Sequence, residues 1–97
     1  MTAALERSVE RYLLSRSRES GFLCLKLVLQ GRAGVPDRIV VTPGGTVCVE
    51  VKRPGERLRR LQAVTVTKLR RAGGAVHVVD DKDSVDRLLQ RLHEGVG

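Results

Sequence analysis

Two short segments carry residue types that can hold a divalent cation beside a phosphate. Pro36-Asp37 opens the run Arg38-Ile39-Val40-Val41, and Glu50-Val51-Lys52 closes the run Thr46-Val47-Cys48-Val49. Asp37 and Glu50 are separated by twelve residues. A hard cation such as Mg²⁺ or Mn²⁺ takes oxygen ligands and keeps several waters, so two or three carboxylates and a phosphate oxygen suffice. Such a metal polarises a phosphoryl group and lowers the pKa of its bound water. A lysine beside it can orient that water or steady negative charge as it develops. Two carboxylates brought together repel unless a cation lies between them, so this grouping favours metal binding. Hydrolysis of a phosphodiester is the chemistry these three side chains point to.

The elements that must position them can be read from residue periodicity. Side chains alternate along a strand, so residues two apart share a face, about 6.8 Å from one another. Val47, Val49 and Val51 therefore point to a core, and Cys48, Glu50 and Lys52 point the other way. Asp37, Ile39 and Val41 share a face in the preceding run. The short turn Pro43-Gly44-Gly45 joins the two runs as an antiparallel hairpin, which brings Asp37 towards Glu50 and Lys52. Upstream, Leu5, Val9, Tyr12 and Leu13 recur at helical spacing and predict a first helix ending near Gly21. Phe22 to Leu29 reads as a strand, followed by a glycine-bearing loop, Gln30 to Val35. Downstream of the Pro54-Gly55 break, Leu58, Leu61, Thr65, Leu69 and Ala72 predict the apolar stripe of a second helix, closed by Gly73-Gly74. Ala75 to Val79 is almost wholly apolar and reads as a central buried strand. Asp80 to Ser84 offers N-caps for a last helix bearing Val85, Leu88, Leu89 and Leu92.

These residues resemble the PD-(D/E)XK nuclease superfamily, and within it the small VRR-Nuc (virus-type replication-repair nuclease) family. The resemblance runs from about Leu5 to Leu92. It rests on Glu6-x-x-Val9, Lys26, Gln30-Gly31-Arg32-Ala33-Gly34-Val35-Pro36-Asp37, Gly44-Gly45, Glu50-x-Lys52-x-Pro54-Gly55, Leu61-Gln62 and Val78-Val79-Asp80. It implies an α/β fold with a restriction-endonuclease-like core, elements in the order αβββαβα, and a central mixed sheet flanked by helices. It also implies an endonuclease of phage or prophage type that uses Mg²⁺ or Mn²⁺ and acts on branched DNA such as four-way junctions or flaps. Asp37 and Glu50 would bind the cation, with the carbonyl of Val51 as a further ligand, and Lys52 would position the attacking water. Glu6 would assist. It lies closer than Glu10 to the direction of Leu5, Val9 and Leu13, and the family pattern selects it too; its plain alternative is a solvated glutamate at a helix start.

Each of these residues has a plain reading when taken singly. Asp37 is a turn residue after a proline, and Glu50 with Lys52 is an ion pair on an edge strand, worth little. The ordered set favours the nuclease reading over a catalytically silent DNA-binding or assembly module on the same fold.

Charge supports a phosphate-rich partner. Eighteen Lys and Arg against eleven Asp and Glu give a net charge of +7. Between Arg53 and Arg71 stand Arg53, Arg57, Arg59, Arg60, Lys68, Arg70 and Arg71, against Glu56 alone. Arg57, Arg60, Lys68 and Arg71 would form a stripe opposite the leucines and contact phosphates without reading sequence. Arg32, Arg38 and Arg53 flank the site as further candidates. Lys26 would line it, and Gln62 would hold Lys52 or a phosphate. One Phe, one Tyr and no Trp argue against a base-stacking platform.

Length predicts a single domain over residues 1–97. No apolar run is long enough to span a membrane, and Met1-Thr2-Ala3-Ala4 lacks the apolar stretch of a signal peptide. Cys24 and Cys48 sit in apolar strand patterns and read as buried thiols of a cytoplasmic protein, in a bacterial or phage-infected host. No His/Cys cluster has zinc spacing, and no organic cofactor is expected. His77, alone in an apolar strand, reads as a core residue. A minimal domain acting on a two-fold substrate implies a homodimer.

Overall fold

The computed structural model describes residues 2–31 and 34–95, with side chains from Leu5 onward; Arg32 lies outside the described residues. The elements are α1 (Thr2–Glu19), β1 (Leu23–Lys26), β2 (Arg38–Thr42), β3 (Gly45–Val51), α2 (Arg60–Arg71), β4 (Val76–Val79) and α3 (Lys82–His93). This is the predicted αβββαβα order. The strands form one mixed sheet in the order β1-β2-β3-β4. The first three are antiparallel neighbours, and β4 runs parallel to β3.

Alternation along β3 sets the layers. Val47, Val49 and Val51 lie on one face with Val40 and Val79, packed under Val9 and Leu13 of α1 and Val85, Leu88, Leu89 and Leu92 of α3. Cys48, Glu50 and the start of α2 lie on the other face. Val76 shares that face, because Cys48 is its partner in the parallel ladder, and α2 packs on β4 there. The hairpin closes at Thr42 and Gly45, where the Thr42 hydroxyl donates to the Gly45 carbonyl at 2.9 Å. Asp81 caps α3 by accepting from the Ser84 N–H at 2.7 Å.

Four sequence expectations are corrected by tertiary context. β1 stops at Lys26 rather than running to Leu29. Leu27 N–H still donates to the Asp37 carbonyl at 2.7 Å, but Pro36 beyond it has no N–H to offer. Val28 and Leu29 are left exposed and unpaired with a strand. β4 is an edge strand rather than a central one. Its apolar sequence reflects cover on both faces, by α2 and by α3. The buried residues of α2 are Thr65 and Val66, while Leu61 is exposed and Leu58 precedes the helix. α2 bears on one strand and one loop, so only a narrow flank of it is covered. In α1, Leu5 is exposed, and the covered stripe begins at Val9.

Candidate active site

The C-terminal end of β3, the loop before β2, the first half of α1 and the start of α2 enclose a polar cavity of about 200 Å³. Glu6 and Glu10 enter from α1. Gly34, Val35 and Asp37 come from the loop, Glu50, Val51 and Lys52 from β3, and Arg59 and Gln62 from α2. Arg38 pairs with Val49 across the hairpin, and continuing that register sets Asp37 opposite Glu50. The alternation expected from the sequence thus delivers Asp37, Glu50 and Lys52 to one site.

Glu50 and Lys52 are both buried, at 8% and 3% exposure. The Lys52 ammonium stands 3.7 Å from Glu50 Oε2. The Lys52 backbone N–H donates to the Val79 carbonyl at 2.8 Å, which extends the parallel ladder one step past the strand. Gln62 donates from Nε2 to Glu50 Oε2 at 3.1 Å and accepts the Arg59 backbone N–H on Oε1 at 3.0 Å. It therefore closes the first turn of α2 and fixes Glu50 at the same time. Burial pushes the Glu50 carboxyl above its ordinary range; the charges of Asp37 and Glu6 push the same way, and Lys52 opposes them.

The helix carboxylates differ in their commitments. Glu10 accepts a 2.6 Å hydrogen bond from the Arg38 guanidinium, which is largely buried. That pair ties α1 to β2 and draws Arg38 away from the role of a free phosphate contact. Glu6 has no such partner among the described residues. Of the other basic candidates, Arg53 pairs with Glu56 at 3.6 Å, and Lys26 is exposed on the α1 side of the sheet, outside the cavity lining. Arg57, Arg60, Lys68 and Arg71 are exposed on or beside α2, also outside it. His77 is half-buried on β4, away from the cavity, with its pKa pushed down by burial and then by Arg91 and Arg70. Cys24 and Cys48 are free thiols on opposite faces of the sheet.

Sequence reasoning missed Arg59 and Gly34 in this cavity. Gly34 adopts φ +77°, and a Cβ there would stand 2.9 Å from the Leu61 carbonyl oxygen and 3.0 Å from Thr65 Oγ1. The loop before Asp37 thus rests directly on α2. Gly34→Ala is expected to cost about 1–3 kcal/mol or more, from left-handed backbone strain and overpacking together. Chemical denaturation would show it, and an unchanged midpoint would contradict this packing.

The donor chemistry suits a hard cation. The carboxylates of Glu6, Asp37 and Glu50 offer oxygen ligands, and Glu50 carries a charge that its surroundings disfavour. Among the described residues no three acidic, His or Cys side chains already stand grouped to hold an ion. Glu50 is turned towards Gln62 and Lys52, so these side chains would have to close around it.

Comparison with known proteins decides the family. No family model matches the chain. It is 40% identical over 79 residues to "Putative nuclease p44" of Acyrthosiphon pisum secondary endosymbiont phage 1, covering 80% of this chain and 85% of that protein. A solved structure described as a VRR_NUC domain superposes with a TM-score of 0.80 at 32% identity, covering 88% of this chain and 94% of that one. The chain belongs to the VRR-Nuc family. Its mixed sheet and flanking helices form a restriction-endonuclease-like core. Among the described residues no helix is long and apolar enough to cross a membrane.

Proposed function

We propose that this chain is a divalent-metal-dependent DNA endonuclease of phage type that acts on branched DNA. The observation that carries this reading is the meeting of Asp37, Glu50, Lys52 and Glu6 in one polar cavity beside a run of cationic residues. Asp37 and Glu50 would hold Mg²⁺ or Mn²⁺, with Glu6 and the carbonyl of Val51 as further oxygen ligands. When bound, the ion supplies polarisation of the phosphoryl oxygen and a lowered pKa for its water. Lys52, held beside Glu50, would orient the attacking water through its ammonium and steady charge on the phosphate, while Gln62 fixes Glu50. The buried setting strengthens these contacts relative to bulk water. Arg57, Arg60, Lys68 and Arg71, exposed on or beside α2, hold the DNA backbone.

Incubation with linear duplex, nicked, flap and four-way junction DNA under Mg²⁺, Mn²⁺ and chelator tests the reading. Metal-dependent cleavage that favours a branched substrate is expected. Binding to every substrate with no cleavage under either metal would instead identify a silent DNA-binding module.

A four-way junction needs one incision on each of two strands, and one chain supplies one cavity. We therefore propose a single-domain subunit that works in the cytoplasm as a two-fold homodimer. The open β1 edge and the exposed Leu23 and Leu25 beside it are a candidate contact. Sedimentation at micromolar protein should give twice the chain mass, and Leu23→Glu with Leu25→Glu should shift it towards monomer. A monomer that still makes paired incisions would defeat the symmetry argument.

A further inference from the structure

We propose that Arg59 grips the phosphodiester being cut, a role that rests on the nuclease reading of the same cavity. Arg59 stands in the cavity wall with Glu6, Asp37, Glu50 and Lys52. Its root is fixed from both sides. The Arg59 N–H donates to Gln62 Oε1 at 3.0 Å, and its carbonyl accepts from the Ala63 N–H at 2.8 Å. Gln62 also holds Glu50, so one side chain ties the position of Arg59 to that of the buried carboxylate.

The other cations near the cavity are engaged. Lys52 is buried beside Glu50, Arg38 is bound to Glu10, and Arg53 is paired with Glu56. Arg59 lines the cavity and forms no ion pair among the described residues. Charge balance shows what it adds. Setting aside the Glu10–Arg38 pair, three carboxylates, Lys52 and a divalent cation sum to zero. Such a site offers an incoming phosphodiester no net attraction. Arg59 makes the loaded site singly positive, which the phosphodiester then neutralises. A guanidinium is also suited to the task, because its planar fork can hold two non-bridging oxygens at once, and a lysine cannot.

The test compares wild type, Arg59→Ala and Arg59→Lys on whichever DNA the wild type cuts. Single-turnover cleavage is measured at saturating enzyme, and Mn²⁺ binding is measured calorimetrically on the protein alone. Arg59→Ala should lower the cleavage rate by about 10²-fold, as expected for loss of one preorganised donor to developing charge. Arg59→Lys should regain part of that loss by restoring charge without the fork. Mn²⁺ affinity should stay within about twofold of wild type in both, since Arg59 is exposed and is not a metal ligand. Cleavage by Arg59→Ala at the wild-type rate would overturn the assignment. A loss of Mn²⁺ affinity that matches the loss of rate would overturn it as well, by showing that the residue only shapes the metal site. If wild type cuts no DNA under either metal, the nuclease reading itself fails and takes this assignment with it.

Discussion

Asp37→Ala and Glu50→Ala are each expected to abolish metal-dependent cleavage while leaving a folded domain that still binds DNA. Changing a group that merely supports a metal ligand already costs about 10–100-fold, so loss of a ligand should exceed that. Neither residue belongs to the apolar core of α1, α3 and the sheet, which supplies the packing. A plasmid or junction assay with a circular dichroism spectrum of each variant checks both halves. Cleavage within tenfold of wild type by either variant would refute its assignment as a ligand.

The isosteric variant Asp37→Asn sharpens the expectation through stability. Glu50 titrates above its ordinary value because it is buried and then because Asp37 is close. A raised carboxyl pKa means that the folded state disfavours the charged form. Folding therefore carries a cost at neutral pH, and the cost is relieved as pH falls through the raised pKa. Asp37→Asn removes the second of these causes. Without metal it should melt above wild type at neutral pH, and the difference should vanish below the ordinary Glu50 value of 4.5. Mn²⁺ should raise the wild-type Tm, because a cation relieves the same repulsion, and should raise that of Asp37→Asn less. An Asp37→Asn variant that melts below wild type without metal would mean that Asp37 holds the fold together and does not strain it. Trading stability for function in this way is common at active sites.

Charge reversal of Arg57, Arg60 and Arg71 together should give the second large effect, on binding. All three are exposed, and they lie on or beside α2, whose last turn carries Lys68, Arg70 and Arg71 with no acidic residue in the first turn. Each phosphate that is no longer neutralised takes about 0.9 from the slope of log K against log salt. Three such phosphates would flatten the slope by about 2.7 and weaken binding by roughly a few hundredfold at about 0.1 M salt. Titration of labelled DNA at several salt concentrations measures both quantities. An unchanged slope would show that this helix face is solvated and takes no part in DNA binding.

Local backbone geometry makes much of this protein legible from its residues alone. Alternation along Val47 to Lys52 is a property of an extended chain, so it assigns the valines to the core and Glu50 with Lys52 to the opposite face. The glycine-rich turn predicts the hairpin and brings Asp37 towards Glu50, but the turn is one residue shorter than the sequence suggests: Gly45 already pairs with Thr42, and that register sets Asp37 opposite Glu50. Helical spacing in α3 likewise names its four buried residues. What distant segments do to one another is decided only by the tertiary structure. β1 ends where its partner strand ends, although Val28 and Leu29 continue its apolar pattern. β4 lies at the sheet edge, with α2 and α3 packed on its two faces. Glu6 and Glu10 are one turn apart on α1, and only the reach of Arg38 from β2 separates their commitments. Arg59 is one of several arginines in a charged stretch, and only the packed structure shows that it lines the cavity, its backbone joined to Glu50 through Gln62. Periodicity says which way a side chain points along its own element. Which long charged side chains pair across elements depends on distances that only the packed structure sets.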